Sequence, residues 1–139
     1  MSKKSYSVFL SIFLFCFNTA VFAADEEETP KEKPSYISLG SKPMILNLAT
    51  NGNRRVFLQI KADVLVKNED AKEAIEEHIP AIRHKLILLL SEQNAVDMKT
   101  TSKREEIRKL ATAEIRDMME QMAGNKDIEE ILFSNFLVQ

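Results

Sequence analysis

The side chains best suited to chemistry in this 139-residue chain are His78 and His84 and the adjacent carboxylates Glu105-Glu106 and Glu129-Glu130. On one continuous helix, imidazoles six residues apart lie about 240° apart around the axis and cannot share a metal ion unless a bend re-aims one of them. Glu76 and Glu77 do not build a His-Glu-x-x-His arrangement around them. The carboxylate pairs sit among Lys and Arg, whereas acid–base catalysis needs surroundings that drive two carboxyl pKa values apart. With three glycines in the chain there is no Gly-rich phosphate cradle and no Gly-x-Ser-x-Gly elbow. The histidines therefore read as solvated or packing groups and the carboxylates as solvated faces. No cofactor, metal or catalytic set can be written, so the expected function is non-enzymatic.

The single cysteine, Cys16, falls in an uncharged stretch from Tyr6 to Ala23 that also holds five of the eight phenylalanines. Disulfides, thiolate metal sites and a thiol nucleophile are excluded for anything that begins after it. Lys3 and Lys4 before the stretch, and small residues in Val21-Phe22-Ala23-Ala24 at its end, read as a secretory signal cleaved between Ala23 and Ala24. The competing reading is an uncleaved inner-membrane anchor, since eighteen uncharged residues reach the lower end of the ~17–25 that span a bilayer. Either way the rest of the chain is expected in the periplasm, with Lys3 and Lys4 held on the cytoplasmic side. Residues 24–35, with five acidic side chains and two prolines, read as a flexible linker unable to offset its ordering entropy. Beyond residue 23 there are 17 basic and 21 acidic side chains, net −4. A chain so mixed in charge lacks the clustered basic face that nucleic-acid binding demands.

Residues 36–139 are long enough for one domain. Tyr36–Gly40 and Met44–Leu48 are short extended candidates, and Asn51-Gly52-Asn53 predicts a tight hairpin turn with positive φ. From Arg54 to Val66 the chain alternates, with Leu58, Ile60, Ala62, Val64 and Val66 on one face, as a half-buried strand requires. Asn68 suits a helix N-cap before Glu69 and Asp70, and Ile75, Ile79, Ile82, Leu86 and Leu89 or Leu90 follow at helical spacing. Pro80 predicts a kink or two abutting helices. Ala95–Met98 suggests a short strand, and Ser102 with Glu105 has the form of a capping box opening a second helix. That helix carries Ile107, Leu110, Ala111, Ile115, Met118, Met119 and Met122 and stops at Gly124. Ile128–Gln139 reads as a closing strand. The predicted architecture is α+β, a small sheet in the order β-β-β-α-α-β packed against two helices.

Candidates for a protein interface are the basic residues Arg54, Arg55 and Arg83, the thioethers Met118 and Met122, and the aromatic pair Phe133 and Phe136. The basic residues and the thioethers have plain alternatives: solvation for the arginines and core filling for the methionines.

Taken in order, four segments resemble the flagellar basal-body-associated FliL family: Tyr36-Ile37-Ser38-Leu39 with Met44-Ile45-Leu46-Asn47-Leu48; Arg54-Arg55-Val56-Phe57-Leu58-Gln59-Ile60; His78-Ile79-Pro80-Ala81-Ile82-Arg83 with Leu86–Ser91; and Ile131–Gln139. The resemblance implies a stomatin-like periplasmic domain without catalytic activity. It also implies self-association into a ring and partnership with the flagellar stator proteins, of MotA and MotB type or their sodium-driven equivalents, in support of torque. Members of that family usually carry an uncleaved membrane helix, so a cleavable start implies a secreted paralogue. A stomatin-like adaptor of another inner-membrane complex is the second functional expectation, and a ligand-binding or hydrolytic periplasmic protein the third.

Overall fold

A computed structural model describes residues 33–139. The leader, its Ala23-Ala24 junction and most of the linker lie outside the described residues. The linker's last residue, Ser35, already belongs to a strand. Four strands and two helices follow: β1 (Ser35–Ser38), β2 (Met44–Leu48), β3 (Val56–Val66), α1 (Glu69–Ser91), α2 (Thr101–Ala123) and β4 (Ile128–Val138). This is the α+β order expected from the patterning.

All pairing converges on β3. Along one of its edges β1 and β2 lie end to end, opposite Asp63–Val66 and Val56–Ile60; along the other β4 runs antiparallel from Val138 beside Leu58 to Ile128 beside Val66. The alternation read from sequence holds, because Leu58, Ile60, Ala62, Val64 and Val66 are all buried against the helices. The strand starts at Val56, not Arg54. On β4 the register shifts between the partners of Lys61 and Ala62, so Ser134 has no opposite residue. This bulge keeps Ile131, Phe133, Phe136 and Val138 on the helix side, where strict alternation would have turned the last two outward.

α1 opens as predicted: the Asn68 side chain accepts from the Ala71 amide at 2.8 Å and also donates to Asp127 at 3.0 Å, joining the helix start to the approach to β4. Its core stripe is Ala71, Ile75, Ile82, Leu86 and Leu90. The expectation of two abutting helices is not met, since one helix runs from Glu69 to Ser91 through Pro80. The Leu86–Leu90 run is buried at its two ends while Leu88 is half exposed.

Local signals failed where long-range contacts took over. Asn51-Gly52-Asn53 makes no tight turn and none of its residues has positive φ. The seven residues 49–55 form an open loop whose start is pulled aside by Ala49, which bridges to Asn94 through the Ala49 N–H to Gln93 and Ala95 N–H to Ala49 bonds. Ala95–Met98 is not a strand; a single 3₁₀ turn covers Asp97–Lys99. That turn delivers Thr100, not Ser102, as the N-cap of α2, its hydroxyl accepting from the Lys103 amide at 3.2 Å. α2 ends at Gly124, whose φ of 64° is the left-handed stop expected there.

Candidate interaction surface

α2 lies along β4, and its side chains at positions 104, 108, 112 and 116 recur every four residues on the side facing that strand. Arg116 donates to the carbonyls of Ile128 and Glu129. The Thr112 hydroxyl accepts from the Ile131 amide at 2.9 Å and donates to the Arg108 carbonyl at 2.9 Å. Arg108 meets Glu105 through two nitrogens, at 2.7 and 2.9 Å, and Glu130 at 2.5 Å. The hydrogen bonds that Arg108 donates to Glu105, with the charge of that carboxylate, hold the guanidinium above its ordinary range, and the same bonds hold Glu105 below the usual carboxylate range. Arg108, Thr112 and Arg116 therefore serve the first half of the outer edge of β4.

The second half is different. β3 is the only strand pairing with β4 among the described residues, and past Ile131 no side chain of α2 reaches the backbone of β4. Phe133 and Phe136 stand beside this open edge with ring centres 5.9 Å apart, and the Arg104 guanidinium lies over the Phe136 ring at 4.7 Å. Arg104 is held there by donating to the Met98 carbonyl at 3.0 Å. Between α2 and the strand remains a cavity of about 300 Å³ lined by Thr101, Arg104, Glu105, Arg108, Leu132, Phe133 and Phe136. From Ile131 to Gln139 the strand carries no charge and no proline, the devices with which natural sheets blunt an exposed edge. Chemically this edge can add a strand and bury two half-covered rings.

The remaining sequence candidates are not brought to that place. Arg83 donates to the carbonyls of Leu39 at 2.6 Å and Lys42 at 3.4 Å, fastening the bend between β1 and β2 to α1. Gly40 in that bend has φ of 124°, and a Cβ there would sit 3.0 Å from the guanidinium, so the clamp requires glycine. Met118 packs against the core and Met122 is 51% exposed, both toward the end of α2 remote from Phe136. Arg54 and Arg55 are exposed in the 49–55 loop. Of the histidines, His78 bonds to the Ala74 carbonyl and His84 is exposed. Sequence reasoning missed Arg104, Arg108, Thr112 and Arg116, although their four-residue spacing was visible; its meaning depends on knowing which strand they face.

The family model for the flagellar basal body-associated protein FliL matches residues 36–139. The chain belongs to the FliL family. Relatives include the flagellar protein FliL of Escherichia coli strain K12, that of Escherichia coli O157:H7 and that of Shigella flexneri. Each is 27% identical over 121 residues, which cover 84% of this chain and 74% of the relative. The matched region begins at the first strand and includes β4 with its open edge. Basal body association fits a place close to a membrane; among the described residues no helix is long and apolar enough to cross one.

Proposed function

We propose that this chain is a non-enzymatic component of the flagellar motor, exported to the periplasm, whose copies associate into a ring-like scaffold that engages the stator units and supports torque. One observation within the family assignment carries the reading: the uncharged edge of β4 from Phe133 to Val138, flanked by two half-buried rings. A head-to-tail ring needs a surface that is apolar at its centre and polar at its rim. Phe133 and Phe136 would form the centre, and Arg104, Glu105 and Arg108 the rim. Membership of a basal body family supports a partner within the motor.

Sedimentation of the purified protein tests the contact. The wild type is expected to show concentration-dependent association, and Phe136→Asp to sediment as a monomer while keeping its helical circular dichroism. A wild type that stays monomeric at high concentration and does not co-purify with stator components would overturn the scaffold. For the motor role, deletion is expected to leave filaments assembled while swimming weakens under viscous load; unchanged motility at every load would count against it.

A further inference from the structure

The turn Asp97–Lys99 borders a cavity of about 470 Å³ that opens between it and the 49–55 loop. Its wall is apolar, formed by Val56, Ala95 and Val96, and Val96 is 71% exposed although nothing in the fold requires it to be. Arg54 and Lys99 stand at its mouth on two different segments, and Arg55 follows Arg54 in the loop. Elsewhere Lys72, Lys85, Lys103, Arg108 and Lys126 each meet a glutamate within 3 Å. Among the described residues Arg54, Arg55 and Lys99 meet no carboxylate. With Asp97 counted on the same turn, two positive charges remain uncompensated around an apolar hollow.

We propose that this cleft docks an extended acidic segment of a partner protein, with aliphatic side chains against Val56 and Val96 and carboxylates at Arg54, Arg55 and Lys99. Complementary charge at a rim steers encounter and selects the partner, while the apolar wall supplies the contact area. A lipid surface fits less well. It is flat where the cleft is concave, and polybasic lipid recognition ordinarily gathers about 4–8 cations, more than are present here. The inference does not rest on the scaffold reading, because this cleft and the Phe136 cavity share no lining residue.

Fluorescence anisotropy on the purified full chain tests it with two labelled probes, the peptide Glu-Leu-Asp-Val-Glu and its amide counterpart Gln-Leu-Asn-Val-Gln. The acidic peptide is expected to bind with a Kd of about 0.1 mM or below and the amide peptide roughly tenfold more weakly, the difference shrinking at high salt. The double variant R54E/R55E is expected to lose about tenfold in affinity for the acidic peptide. Val96→Asp should weaken both peptides. Lys67→Glu, an exposed change at the far end of β3, should alter neither, and Phe136→Asp should abolish association while leaving peptide binding intact. Equal binding of the two peptides, binding unaffected by R54E/R55E, no binding at about 1 mM, or R54E/R55E-sensitive capture by phosphatidylglycerol vesicles without peptide binding would each overturn the proposal.

Discussion

Replacing Ile60 with alanine lowers the free energy of unfolding by about 4 kcal/mol, the upper part of the range for truncating a fully buried aliphatic side chain. Ile60 is fully buried at the centre of β3, with Met44 opposite it on one side and Phe136 on the other. Three methyl or methylene carbons are lost from a position whose neighbours belong to both edges of the sheet, so neither flank can collapse inward without disturbing its own pairing. Alanine also fits a central strand less well than a β-branched residue. Against a typical total of about 5–15 kcal/mol, such a loss takes a large share of the stability. Chemical denaturation monitored by circular dichroism measures it, with Ile60→Val as the graded control at about 1 kcal/mol. A loss below about 1 kcal/mol for the alanine variant would mean that β3 is not the hub the pairing describes.

The second large effect comes from a single oxygen. Thr112 is the only buried polar or charged residue among those described, and its hydroxyl supplies the Ile131 amide with an acceptor that no strand provides. Thr112→Val keeps the volume and removes that acceptor, leaving a buried N–H unpaired at a cost of about 1–3 kcal/mol. Thr112→Ser should recover most of the stability, which separates the hydrogen bond from packing. Amide exchange read by NMR gives the local signature: in Thr112→Val the Ile131 amide is expected to lose protection beyond the global change. If valine and serine cost the same, the hydroxyl is not what closes this part of the edge.

Much of the scaffold was legible because burial on one face imposes a period. The five inward residues of β3, the Ile75–Ile82–Leu86–Leu90 stripe of α1, the Asn68 cap and the Gly124 stop each follow from chemistry contained within a few residues. The Asn51-Gly52-Asn53 loop was misread because its neighbour Ala49 is bound to a segment more than forty residues away, so the strands are not joined at the shortest turn. The cap of α2 was misread by two residues because Thr100, Thr101 and Ser102 offer overlapping hydroxyls. The preceding turn, in which the Thr100 amide donates to the Asp97 carbonyl at 2.9 Å, decides between them. Phe133 and Phe136 were identified as apolar, yet alternation alone places them on opposite faces of β4, and only the bulge brings them together. Arg83 looked like a free cation until the bend that it holds was folded against it.

Ser134 is exposed, so its side chain faces little constraint. Deleting it would remove the bulge and leave the faces as they are, because Phe133, Asn135 and Phe136 would then alternate strictly opposite Ala62, Lys61 and Ile60, with Phe136 and Val138 still on the inner side. Changes of identity at this position can therefore accumulate with little consequence, and loss of the residue would straighten the molecule's outer border without exchanging its two faces.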